Sequence, residues 1–327
     1  MSTQQPKGHA LAVQMLSLAQ AARAAARLMA VATRAQKDAA LAFAAEELLR
    51  GRERIAQANA EDLAQGRARG LAGPLLDRLK LDETALQRLA EGLRQVAARP
   101  DPVGRELSRT TRPNGLVLRR VSVPIGTLLI IFESRPNVSV EAGSLCLKSG
   151  NACILRGGSE AAASNRVLAE VLRAGLKQAG LPEAAVSVPA TTDRAAVSEL
   201  LKLDALIDLV IPRGGEGLIR AVAEQTNIPV ITRIPTIKHY KGVCHVYVHA
   251  DADPELARQI VLNSKLQRVS VCNAAETLLV HAAVAKTLLP RMAQDLLAQG
   301  CELRCEARAR EALAAAGITQ VPPADAQ

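Results

Sequence analysis

From residue 127 onward, short apolar runs alternate with helical stretches, and this rhythm constrains the fold more than any other feature. Apolar runs at 127–132, 152–155, 186–188, 207–211 and 230–231 read as strands. Helical periodicity fills 138–148, 159–179, 191–202 and 215–225 between them. Strands with no polar alternation need cover on both faces, so the pattern predicts an α/β fold with a parallel sheet between helices. Such sheets bind ligands at the carboxyl ends of their strands. A second α/β unit is expected from 244–248, with a helix at 253–266, a strand at 277–281, a helix at 283–298 and a short strand at 302–304. The predicted division is 1–240 and 241–327.

Ahead of the sheet, residues 11–98 have helical periodicity, punctuated by Gly70 and by Gly73-Pro74, with Asp82-Glu83 opening a further helix. A strand is expected at 116–121, set off from the next by Pro124-Ile125-Gly126. No acidic residue precedes Asp38, and the basic, Ala-rich opening has the composition of a transit peptide. Its periodicity runs unbroken into 38–50, which includes Glu46 and Glu47, so a first domain helix is the expectation.

Composition narrows the partners. Two Phe, two Tyr and no Trp leave an aliphatic core and no platform for stacking single-stranded nucleic acid. The net charge of +9 is spread along the chain, as on a solvated surface, and it also suits an anionic ligand. The six cysteines form no CxxC pair, and His239, His245 and His249 lack ligand spacing, so no metal is expected. No apolar run is long enough to span a membrane, and reduced thiols in the cytoplasm are expected.

Three turns stand where a parallel sheet would meet a ligand. Arg156-Gly157-Gly158-Ser159 follows a strand and opens a helix, where backbone amides and a guanidinium can meet a phosphate. Arg213-Gly214-Gly215 repeats that context. One such turn is commonly only a tight turn, but two in equivalent positions point to a phosphate or dinucleotide. The third, 133–137, would place Asn137 as a helix N-cap. Cys272 follows a predicted helix and precedes an apolar strand, with Arg268 nearby to favour the thiolate. A buried small hydrophobe is the alternative for any cysteine, and it suits Cys146 and Cys153.

Several of these segments occur together in one order. They are Phe132-Glu133-Ser134-Arg135-Pro136-Asn137-Val138, Leu145-Cys146-Leu147-Lys148-Ser149-Gly150-Asn151, Pro212-Arg213-Gly214-Gly215, Cys244-His245-Val246-Tyr247-Val248 and the run from Gln267-Arg268 through Cys272-Asn273. They resemble the gamma-glutamyl phosphate reductases of the aldehyde dehydrogenase superfamily, from about residue 12 onward. The resemblance implies a Rossmann-type cofactor domain with a helical N-terminal region over 1–240. It also implies a partial catalytic α/β domain over 241–327, C-terminally truncated against the family. It implies reduction of L-glutamyl 5-phosphate to L-glutamate 5-semialdehyde by NADPH in cytoplasmic proline biosynthesis, with glutamate 5-kinase as a partner.

By the same resemblance, Cys272 is the nucleophile that forms a thioester, and Asn137 holds the oxyanion. Arg156, Gly157, Gly158, Ser159, Gly214 and Gly215 lie along NADP(H), while Arg135, Lys148 and Arg268 contact the anionic substrate. Three departures favour the alternative of a non-catalytic NADP(H)-binding or interaction remnant without the family's homo-oligomer. Val269 replaces the family's Pro, the stretch 234–237 echoes 228–231, and the chain ends early.

Overall fold

The structure is a computed structural model that describes residues 5–133, 135–231, 243–269, 271 and 273–324. The chain divides into two compact units, residues 1–238 and 239–327.

The first unit opens with five helices: α1 (Gln5–Ala30), α2 (Arg34–Arg50), α3 (Arg52–Ala68), α4 (Gly73–Leu79) and α5 (Glu83–Ala98). Local chemistry sets their starts. Thr33 and Gln36 form a reciprocal capping box on α2, and the Asp82 carboxylate caps α5. An antiparallel hairpin follows, β1 (Glu106–Thr111) and β2 (Val117–Val121), exposed along its whole length. β1 was not expected, because Glu-Leu-Ser-Arg-Thr-Thr carries no apolar period.

The expected rhythm then unfolds. It runs β3 (Thr127–Phe132), α6 (Asn137–Lys148), β4 (Ala152–Arg156), α7 (Ala162–Gln178), β5 (Val186–Ser187), α8 (Ala195–Leu200), β6 (Leu209–Arg213) and α9 (Glu216–Glu224). The four strands are parallel, in the order β5–β4–β3–β6. The expected strand at 230–231 reduces to one bridge between Val230 and Val210, and the expected helix at 191–202 to the short α8.

β3 and β4 are buried at every position. Strand side chains alternate in direction, so β3 feeds two cores. Leu128, Ile130 and Phe132 pack with α2, α5, α6 and α7 on one face. Leu129 and Ile131 pack with α1, α8 and α9 on the other. Met15, Ala19 and Ala22 place α1 in that second core, in keeping with its reading as a domain helix. From β3 the chain steps through β4 to β5, then returns to the opposite side of β3 as β6. The strand order therefore reverses between β3 and β6, which opens a crevice at their carboxyl ends.

The second unit pairs β7 (His245–Val248) in parallel with β8 (Thr277–Val280), with α10 (Pro254–Leu266), α11 (Ala282–Ala298) and α12 (Ala307–Ala315). The expected strand at 302–304 is absent; Cys305 bridges Pro323 instead. Val321 is buried with Leu289, Ala293 and Leu313, which draws residues 318–324 onto α11 and α12. Among the described residues, no helix is long and apolar enough to cross a membrane.

Candidate functional site

A cavity of about 570 Å³ lies in the first unit at the carboxyl ends of β3 and β4. Phe132 and Glu133 close one side, and Arg156, Gly157, Gly158 and Ser159 form the floor of the turn after β4. Thr192 and Arg194 come from the loop after β5, and Val197, Leu201, Leu218 and Val222 give an apolar wall from α8 and α9. The crevice expected from strand reversal is thus a built pocket, apolar on one flank and charged on the other, where Arg156 and Arg194 stand with Glu133 and Glu160.

Arg156 is the principal charged group, only 8% exposed. Its guanidinium bonds the Gly157 carbonyl and donates to the Thr192 carbonyl at 2.8 Å, yet its buried Nε has no hydrogen-bond partner. Burial pushes its pKa below the ordinary arginine value; Glu160 opposes this, Arg194 adds to it, and Asp193 opposes it. A buried cation beside a second cation is stabilised by an incoming anion.

Gly157 is required by close approach. A Cβ there would overlap the Asn165 carboxamide and lie 2.9 Å from the Phe132 ring. After the turn, a single 3₁₀ turn at Ser159–Ala161 leads into α7. The amides of Ala163 and Ser164 are already satisfied by the buried Asp62 carboxylate of α3, at 3.1 and 2.8 Å. These two amides are therefore not available to a ligand.

The other expected site residues fall into three groups. Gly214 and Gly215 stand behind the cavity wall: a Cβ on Gly214 would come within 2.7 Å of the Glu133 carboxylate, and Gly215 caps α9. Asn137 is corrected from N-cap to first residue of α6, where Pro136 is the cap, and its amide donates to Glu141 at 2.8 Å. Arg135 is half-buried in the loop before it. Lys148, expected to contact the substrate, is packed into an edge of the first unit. α6 returns the chain from the carboxyl end of β3 to the amino end of β4, so Lys148 lies at the edge opposite the cavity. There it is 4% exposed, paired with Asp38, and donates to the Ala97 carbonyl at 2.7 Å.

In the second unit, Arg268 is exposed just past α10, and Val269 is 55% exposed. Cys272, His239 and the stretch 234–237 lie outside the described residues. The chain beyond Cys272 is anchored: Ala275 N–H donates to the Ser264 carbonyl at 2.9 Å, and Glu276 N–H to the Cys244 carbonyl at 2.9 Å. Sequence reasoning missed Arg194 and Asn165. The rule that strand carboxyl ends bind ligands applies equally to the loop after β5 and would have flagged Arg194.

Residues 8–302 match the aldehyde dehydrogenase family. The gamma-glutamyl phosphate reductase of Anaeromyxobacter sp. (strain K) is 49% identical over 316 residues, which cover 97% of this chain and 73% of that protein. The crystal structure of gamma-glutamyl phosphate reductase from Thermotoga maritima superposes with a TM-score of 0.81 at 38% identity, covering 96% of this chain and 73% of that one. The Saccharomyces cerevisiae structure of the same name gives a TM-score of 0.62 at 32% identity, covering 93% and 75%. This chain belongs to the aldehyde dehydrogenase family and, within it, to the gamma-glutamyl phosphate reductases. It is an oxidoreductase acting on an aldehyde or acyl phosphate with a nicotinamide cofactor. The first-unit cavity would suit such a cofactor: Arg156 lines it as a buried cation whose Nε has no hydrogen-bond partner, the group an anionic dinucleotide would meet.

Proposed function

We propose that this chain reduces L-glutamyl 5-phosphate to L-glutamate 5-semialdehyde with NADPH, the reductive step of proline biosynthesis. The observation that carries this reading is 49% identity to a gamma-glutamyl phosphate reductase across 97% of the chain, enough to include both units. In this reading residues 1–240 hold the cofactor and 241–327 supply the nucleophile. Glutamate 5-kinase is the proposed supplier of the acyl phosphate.

The Cys272 thiolate attacks the acyl carbon, the carbon–oxygen bond to phosphate breaks, and inorganic phosphate leaves behind a thioester. The nicotinamide cofactor, when bound, supplies hydride. Collapse of the resulting thiohemiacetal expels the thiolate and frees the aldehyde. Asn137 stabilises negative charge on the reacting oxygen. Arg135 and Arg268 attract the doubly anionic substrate, and Gly158 and Ser159 hold the turn against the cofactor. Gly214 and Gly215 support that wall from behind.

NADPH is preferred over NADH in this reading because of charge. Sheets that bind NAD place a carboxylate on the ribose hydroxyls near the end of the second strand, whereas an Arg there receives a 2′-phosphate. Here the second strand, β4, ends in Arg156, with Arg194 beside it on the cavity wall.

The test runs the reaction backward, from glutamate semialdehyde and NADP⁺ with inorganic phosphate. Reduction of NADP⁺ that requires phosphate is the expected result. Arg194→Ala is expected to erode the NADP⁺ preference over NAD⁺ about tenfold, the size of one charge-assisted contact. NADPH binding without turnover would instead identify a cofactor-binding remnant.

A further inference from the structure

Between α6 and α7 lies a buried polar pair that the mechanism above does not use. The Ser139 hydroxyl on α6, 0% exposed, donates to Asn165 Oδ1 on α7 at 2.9 Å, and Asn165 is 4% exposed. The other end of the same carboxamide rests against Gly157, in the space a Cβ would fill. Gly157 lines the cavity, and its carbonyl is held by Arg156. Asn137 begins the helix that carries Ser139. A continuous line of buried contacts therefore runs from the first turn of α6, through Ser139 and Asn165, to the turn at the cavity floor.

Stability alone does not account for this pair. The surrounding core is aliphatic, with Val140, Leu168 and Leu155 nearby in one cluster, and an apolar side chain would bury there without losing hydration. A fully satisfied buried polar contact fixes geometry more than it adds free energy. Its direction is also informative. The Ser139 bond fixes which way the carboxamide faces, and that orientation sets how near Gly157 can come.

We propose that Asn165 is a positioning residue that fixes the separation between the cofactor turn at Gly157 and the start of α6. The inference rests on the cofactor reading given above. Ser139 orients the Asn165 amide, the amide braces Gly157, and Gly157 presents its backbone and the Arg156 guanidinium to the dinucleotide. Displacing such a brace by a fraction of an ångström weakens binding of the group it presents.

NADPH fluorescence titration of the 327-residue chain reads this directly, without turnover. Asn165→Ala is expected to raise the NADPH Kd about tenfold and the KM for NADPH more than it lowers kcat. Ser139→Ala leaves the amide in place but unoriented, and about a threefold rise is expected, non-additive with Asn165→Ala because the two share one contact. Gly157→Ala alone is expected to weaken binding at least as much as Asn165→Ala. In the double variant Gly157→Ala/Asn165→Ala the methyl occupies space the amide has vacated, so binding no weaker than that of Gly157→Ala is expected. A lowered Tm with unchanged Kd in both Asn165→Ala and Ser139→Ala would make the pair merely structural and overturn the proposal. Wild-type protein that binds no NADPH would overturn this proposal and the cofactor reading together.

Discussion

Cys272→Ala is expected to abolish turnover and leave NADPH binding within about twofold of wild type. The reaction as proposed has no route that bypasses the thiolate. Covalent capture by the thiolate divides the replacement of phosphate by hydride into two lower barriers. Removing a catalytic nucleophile typically lowers kcat by about 10⁴-fold or more. The cavity assigned to the cofactor is lined by first-unit residues such as Arg156, Arg194 and Leu218. Stopped-flow measurement of phosphate release separates acylation from hydride transfer. Wild type should release phosphate before NADPH is consumed, and the variant should show neither event. Retention of more than about one per cent of kcat would remove Cys272 from the nucleophile's role. Cys272→Ser serves as a stricter control, since a hydroxyl fills the same space but is almost wholly protonated near neutral pH.

The parts of this fold that were legible in the sequence are those whose pattern is local. β3 and β4 read clearly because Thr-Leu-Leu-Ile-Ile-Phe and Ala-Cys-Ile-Leu-Arg are continuous runs, buried at every position. The turn at Arg156 was legible as a turn at a strand end because its glycines and the end of β4 coincide in sequence, and it lines the cavity. β1 was hidden because an exposed hairpin strand needs no apolar face. Asn137 was assigned the wrong capping position because Pro136 already has helical backbone angles, φ −61° and ψ −28°, which moves the helix start back by one residue. Arg194 depends on where the loop after β5 folds over the end of β4, and Asn165 on which face of α7 meets Gly157. Both are tertiary facts with no local signature. The position of Lys148 is a tertiary fact as well: a charge beside a motif says nothing about which end of the sheet its helix points to.

Lys148→Met is accordingly expected to destabilise the protein and leave substrate KM unchanged. Lys148 is buried at the amino edge of the sheet, where it joins Asp38 and the Ala97 carbonyl. Beside it Lys37, 1% exposed, pairs with Asp101 at 2.6 Å. Breaking a buried ion pair from one side costs about 3–5 kcal/mol, because the partner stays desolvated and unpaired. Asp38 retains 28% of its side-chain exposure, so the lower end, about 3 kcal/mol, is expected. For a chain of 327 residues that lowers Tm by about 4 °C. The same cluster sets an acid limit. Burial raises the Asp101 pKa, but hydrogen bonds from Lys37 and the Val103 amide and the charges of Lys37 and Lys148 outweigh it, and the net shift is downward from 3.8. A depressed carboxyl pKa contributes stability that is complete above the unfolded value and lost as pH falls through the folded one. Wild type should therefore keep this contribution down to about pH 4, whereas Lys37→Met, which removes the leading stabilising contact, should lose stability at higher pH. Chemical denaturation followed by circular dichroism between pH 3 and 7 measures both effects. A Lys148→Met protein with unchanged Tm and a raised substrate KM would return Lys148 to the substrate site.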